Sequence, residues 1–276
     1  MKFAVISDVH ADINPWDWAL LDQLPSDVTT IVVAGDINND VWDACRWLVE
    51  LRKRFPTVIW TPGNHDFYNL GYHQTRMIPS REWDEKWPHP YTVDEIYEHY
   101  ARWSQENGIY FLNRSAVVHD GVTFVGATGW HDYVAGAPFS MEAQANAWAN
   151  YLNDSRCIKW ARDESSWKSP LFAATADAAA IKNLVNWATG PTVVVTHYLP
   201  HRNFSWQKPH DRIWTALHGS FVNTVLEDIQ DPKIRYWIYG HTHQRSMRDM
   251  GPTTYVCNAR GYPHENERWE PIVLEI

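Results

Sequence analysis

Five short, β-branched apolar runs, each cut off by a side chain able to hold a metal, constrain this chain more than any other feature. The run 3–7 stops at Asp8, and 30–34 stops at Gly35-Asp36. The run 57–60 leads into Gly63-Asn64-His65-Asp66, 192–196 into His197, and 235–239 into Gly240-His241-Thr242-His243. Runs that are apolar throughout, rather than at alternate positions, are strands buried on both faces, as in sheets covered by helices. Helical periodicity separates most of them: Val93, Ile96, Tyr97, Tyr100 and Trp103; Ile181, Leu184, Val185 and Ala188; Val222, Val225, Leu226 and Ile229. Shorter runs at 116–119, 123–127, 254–257 and 272–275 extend the sheets. Alternation of strand and helix predicts an α/β layered fold.

A length of 276 residues fits one domain spanning 1–276 with an insertion. The segment 129–174 is that insertion or lid: it carries Trp130, Trp148, Trp160 and Trp167, no strand-like run, and one helix near 141–152. Lys and Arg number 24 against 33 Asp and Glu, a net charge of −9 that argues against a phosphate-gripping nucleic-acid binder. Cys45, Cys157 and Cys257 are too scattered for a zinc knuckle or disulfide framework and fit a reducing compartment. No run reaches the roughly 20 apolar residues of a membrane span. The expectation is a cytoplasmic protein.

In open α/β sheets ligands bind beyond the carboxyl ends of the strands, where these polar clusters fall. One Asp or His after a strand is an ordinary turn residue. Ligand-type side chains at all five strand ends are a joint signal for a metal site. Four imidazoles (His10, His197, His241, His243), the carboxylates of Asp8 and Asp36, and the Asn64 amide oxygen exceed the needs of one ion; two ions sharing a carboxylate accommodate them. Mixed nitrogen and oxygen donors suit manganese or iron, with zinc also possible. Two divalent ions against two carboxylates leave a charge of about +2, suited to hydroxide and an anionic phosphoester.

Asp8-Val9-His10, Gly35-Asp36, Gly63-Asn64-His65-Asp66, His197 and Gly240-His241-Thr242-His243 together resemble the calcineurin-like metallophosphoesterase superfamily. The resemblance implies a four-layer α/β/β/α sandwich with two mixed sheets. It also implies a dinuclear phosphoesterase using a metal-bridging hydroxide. One ion would take Asp8, His10, His243 and bridging Asp36; the other would take Asp36, Asn64, His197 and His241. His65 would face the substrate, with Asp66 orienting it. The glycines before Asp36, Asn64 and His241 would let backbone approach the metals.

Gly35-Asp36-Ile37-Asn38-Asn39-Asp40 lacks the Asp-Arg-Gly element of protein Ser/Thr phosphatases. The Gly-Asn-His-Asp form is similar instead to phosphodiesterase-type members and small stand-alone bacterial phosphoesterases. A small phosphodiester, ahead of a monoester, is therefore the expected substrate. Competing readings are a cyclic-nucleotide phosphodiesterase, a nuclease, and an idle scaffold for protein partners; His65 beside Asp66 favours the enzyme over the scaffold. Candidate substrate contacts are His131, Asp154, His201, Arg202 and Arg260, with Asp132, Asn153, Arg156 and Arg245 nearby in sequence. Tryptophans 130, 148, 160, 167, 206 and 214 either pack the insertion or form an aromatic lip, packing being the simpler role.

Overall fold

The computed structural model describes residues 1–68, 91–161, 169–205 and 211–276. In chain order the elements are β1 (Lys2–Ile6), β2 (Thr30–Ala34), α1 (Val41–Arg54), β3 (Thr57–Thr61), α2 (Val93–Glu106), β4 (Tyr110–Phe111), β5 (Ser115–His119) and β6 (Val122–Gly126). Then follow α3 (Met141–Tyr151), α4 (Asp154–Cys157), α5 (Pro170–Trp187), β7 (Thr192–Val195), α6 (Arg212–Leu217), β8 (Ile234–Tyr239), β9 (Ser246–Met250), β10 (Thr253–Cys257) and β11 (Ile272–Glu275).

They form two mixed sheets, ordered β11-β1-β2-β3-β4 and β5-β6-β7-β8-β10-β9. β1 through β4 run parallel, with β11 antiparallel at one edge. β6, β7, β8 and β10 run parallel between antiparallel β5 and β9. Side-chain alternation explains why the runs are apolar throughout. Phe3, Val5, Val32 and Ile59 meet Phe124, Val193, Val195 and Ile238 in the layer between the sheets. Ala4, Ile6, Ile31 and Val58 face outward onto Ala44, Leu48 and Leu51 of α1 and Ile96 and Tyr100 of α2. Across the molecule, Val125, Val194 and Trp237 receive Ala178, Ile181 and Val185 of α5. Helix, sheet, sheet, helix is the expected four-layer order.

Helix α1 lies where the sequence predicts none. Its start is set by Asp40, whose carboxylate accepts the amides of Trp42 and Asp43 at 2.9 and 3.0 Å, and Arg52, Lys53 and Arg54 end it, at the negative end of its dipole. The helix expected over 222–229 is not one. Leu199 bridges to Val222, and only a 3₁₀ turn at Thr224–Asp228 follows, because Asn223 caps Val225 and reaches back to Ala174. Within 129–174, α3 matches its expected place, but the segment's last residues already belong to α5. Trp130 is fully buried against Trp160 and Tyr198, and Trp148 packs on His131 and Tyr133. Trp167 and Trp206 lie outside the described residues. Among the described residues no helix is long and apolar enough to cross a membrane.

Candidate metal centre

The carboxyl ends of β1, β2, β3, β7 and β8 meet at one edge, and each strand delivers its ligand-type residue by an abrupt turn. Among the described residues nine non-glycine positions have positive φ, and five of them are Asp8 (50°), His10 (43°), Asp36 (56°), His241 (73°) and His243 (53°). This left-handed backbone is rare for residues with a Cβ and persists only where the surroundings impose it. The glycines beside them have no room for more. A Cβ on Gly63 would lie 2.1 Å from Asp36 Oδ1, and one on Gly240 would lie 2.6 Å from Asp8 Oδ2.

Six of the seven side chains converge as two groups that share Asp36: Asp8, His10, Asp36 and His243 on one side, Asp36, His197 and His241 on the other. On the first side, His10 Nε2 is 3.0 Å from His243 Nε2 and 3.7 Å from Asp36 Oδ2, and His243 Nε2 is 3.5 Å from Asp8 Oδ1. On the second, His197 Nε2 is 3.3 Å from Asp36 Oδ2, while Asn64 Oδ1 sits 3.0 Å from both His197 Nε2 and His241 Nδ1. Lone-pair atoms crowd together here with few protons between them. Among the described residues Asp8 Oδ2 is buried with no hydrogen-bond partner. An orphaned carboxylate oxygen beside converging imidazoles is costly in a protein interior unless a cation completes it.

The electrostatics agree. Burial, then the neighbouring His65 ring, holds His10 well below the ordinary histidine range. Burial and then His197 do the same to His241, so both keep a free lone pair. Asp36 is resisted by its burial, yet His197 and His65 hold it well below the usual carboxylate range. Burial also opposes charge on His197, but Asp36 brings it up to about 9. The Asp36–His197 pair thus keeps a proton where a cation would replace it. Outer partners fix the rings: His243 Nδ1 lies 2.6 Å from Glu265 Oε2 and His197 Nδ1 2.8 Å from the Ala34 carbonyl, turning both Nε2 atoms inward.

A cavity of about 360 Å³ opens over this edge. Asp36, Asn64, His65, His241 and His243 form its floor; Tyr151, Leu152, Asn153 and Asp154 of the insertion form one wall. Trp214, His218, Phe221, Tyr262 and Glu265 close the rest.

His65 faces the cavity, but Asp66 does not orient it. The Asp66 carboxylate is fully buried and accepts four backbone amides: Asp36 and Gly63 at 2.8 Å each, Ile37 at 2.9 Å and Asn38 at 3.2 Å. Burial and the Asp36 charge push it up to about 7, while those amides pull the other way. His65 is held instead by Asn39, whose Oδ1 is 2.6 Å from His65 Nδ1. An amide oxygen only accepts, so Nδ1 carries the proton and Nε2 is presented to the Tyr262 hydroxyl at 3.2 Å.

Of the candidate substrate contacts, Asp154 and its neighbour Asn153 line the cavity. His131 is fully buried behind it, Arg202 is bound to Glu227, and His201 caps the turn Arg202–Phe204. Arg260 clamps the carbonyls of Val9, Asn14 and Pro15 and lies over Trp16. Asp132 binds Thr224, Arg156 the Asn150 carbonyl, and Arg245 the Asn258 side chain, all structural roles. Sequence reading missed Asn39, Tyr262 and Glu265. Tyr262 and Glu265 sit in a C-terminal loop that periodicity does not reach; Asn39, just after the Gly-Asp pair, was visible by position.

Fold and shared-carboxylate centre together define a metallophosphoesterase. The calcineurin-like phosphoesterase family model matches residues 1–245, and the chain belongs to that family. It is 26% identical to the [acyl-carrier-protein] phosphodiesterase PptH of Mycobacterium tuberculosis, over 96% of this chain and 79% of that protein. It is 23% identical to the uncharacterized protein L509 of Acanthamoeba polyphaga mimivirus, over 90% of this chain and 83% of the relative. The crystal structure of M. tuberculosis PptH, a phosphopantetheinyl hydrolase, superposes with a TM-score of 0.74 at 19% identity, covering 98% of this chain and 95% of that one.

Proposed function

We propose that this protein is a dinuclear metal-dependent phosphodiesterase of the cytoplasm. The observation that carries it is the placement of Asp36 in both donor groups, which fits two cations bridged by one carboxylate. Asp8, His10, Asp36 and His243 would hold one; Asp36, Asn64, His197 and His241 would hold the other. Manganese or iron suits these donors, zinc also. Bound there, such ions supply Lewis-acid charge to the phosphoryl oxygens and make water a nucleophile near neutral pH.

The protein's own groups do the rest. His65 Nε2, held toward the cavity by Asn39, takes up the proton that the attacking water releases and gives it to the leaving-group oxygen. The Tyr262 hydroxyl occupies that hydrogen-bond position until substrate arrives. Among the described residues the cavity lining contains no Lys or Arg, whereas Asp154 and Glu265 add negative charge. A phosphodiester brings one negative charge and a monoester nearly two, so this lining favours the diester. The likeness to PptH, named as a phosphodiesterase, supports the same reading. Nucleic acid is disfavoured by the net charge of −9.

The test is hydrolysis of bis(p-nitrophenyl) phosphate beside p-nitrophenyl phosphate by metal-stripped protein with Mn²⁺, Fe²⁺ or Zn²⁺ restored. Metal-dependent turnover with the diester preferred is expected. Preference for the monoester refutes the diester assignment; a protein that binds no metal refutes the enzyme.

A further inference from the structure

We propose that Asp154 is a positioning residue that decides which end of the Asn64 amide faces the cation site, so that the insertion governs occupancy of the His197–His241 side. The proposal rests on the two-cation reading above. A side-chain amide has two ends of nearly equal shape, and only the oxygen can ligate a cation. At the inner end, the neighbours at 3.0 Å are imidazole nitrogens of His197 and His241; once a cation displaces the proton that Asp36 and His197 share, these nitrogens present lone pairs and offer the amide oxygen no N–H. They do not by themselves specify oxygen over NH₂.

The outer end does. Asn64 Nδ2 donates to Asp154 Oδ1 at 2.9 Å, and an ionised carboxylate only accepts, so NH₂ must lie there and Oδ1 must face inward. Asp154 is only 3% exposed and is itself locked in place. The Tyr68 hydroxyl donates to its Oδ1 at 2.5 Å and the Tyr198 hydroxyl to its Oδ2 at 3.2 Å. The Tyr198 ring lies 4.3 Å from that of His241, closing the network onto the same side of the centre. Asp154 opens α4, 90 residues from Asn64 in sequence. A residue of the insertion therefore sets a ligand carried by β3.

With Asp154→Leu, nothing holds NH₂ outward, the amide turns over, and one of two cations loses its oxygen. Loss of such an outer partner weakens metal affinity by about 10- to 100-fold. Titration calorimetry with Mn²⁺ on metal-stripped full-length protein reads this directly. Expected is one site weakened by that factor in Asp154→Leu, the other unchanged, and near-normal binding in Asp154→Asn, which keeps an acceptor oxygen. Asn64→Asp added to Asp154→Leu restores the weak site, because a carboxylate has an oxygen at either end. By reciprocity, Mn²⁺ raises hydrogen-exchange protection across 154–157 in the native protein and not in Asp154→Leu.

Mn²⁺ affinities in Asp154→Leu that match those of the native protein at both sites overturn the proposal, as does a double variant that binds no better than the single one. If Asp154→Leu does not fold, Asp154→Ala, which removes the same acceptor, takes its place alone and with Asn64→Asp, under the same expectations. A native protein that binds fewer than two ions refutes the two-cation reading instead, which separates the two failures.

Discussion

Replacing Asp66 by Asn separates two accounts of this residue. If it braces backbone, as the four amide bonds show, the loss falls on stability. Asparagine keeps one oxygen, which continues to serve two of the donors, while its NH₂ faces the other two with nothing to offer. A buried amide left without an acceptor costs ~1–3 kcal/mol, so leaving two unpaired costs about 3 kcal/mol. For a chain of this size that lowers Tm by roughly 6–12 °C. Calorimetry in excess chelator keeps metal loss out of the reading. If Asp66 instead oriented His65, turnover would collapse while the metal-free melting point stayed put. A Tm within about 2 °C of the native value would therefore refute the bracing account. Asn39→Ala should behave in the opposite way: nearly native melting and metal content with lower turnover, as His65 loses its fixed tautomer.

Three other outcomes are expected. Asp36→Ala should deplete both metals in elemental analysis and abolish activity, since it serves both groups. His65→Ala should lower turnover by ~10²–10⁴-fold with both metals retained, the range for a lost acid–base group; a metal-poor variant would show that His65 holds the site together instead. His131→Leu should flatten the acid side of the stability curve. Burial lowers His131 to about 3, and neither ring nitrogen has a partner. Below its unfolded pKa of about 6.5, the unfolded chain takes up a proton that the folded one refuses. Native stability then falls by ~1.4 kcal/mol per pH unit, or about 2 kcal/mol by pH 5, whereas the variant lacks that contribution. Urea melts at pH 7 and pH 5 measure the difference.

The buried strands were legible because each fills two apolar layers, which leaves no polar position to blur the run. For the same reason the site was legible at its floor: Asp8, Asp36, Asn64, His197 and His241 each follow such a run directly, and the structure brings them together. β9 was invisible because it is an edge strand, Ser246–Met250, whose side chains are largely exposed and polar. Helix α1 was missed although Val41, Ala44, Cys45, Leu48 and Leu51 follow the helical period and Asp40 caps it. Over 222–229 the same period misled, because Val222 is buried by pairing with Leu199 and not by a helix face. The partners of His65 depend on tertiary contact. Asn39 reaches it from the β2 loop and Tyr262 from 197 residues away, and no local pattern records either.

The left-handed turns at Asp8, His10, Asp36, His241 and His243 bear on how such a protein can change over generations. Each holds an L-residue where backbone sterics cost on the order of 1 kcal/mol, and glycine or asparagine would relieve it. The substitutions that most ease the fold are thus the ones that dismantle the site. A lineage released from the need for cations would shed these residues quickly and gain robustness as it did so. In this chain all five are present, so its backbone bears that strain at each of them.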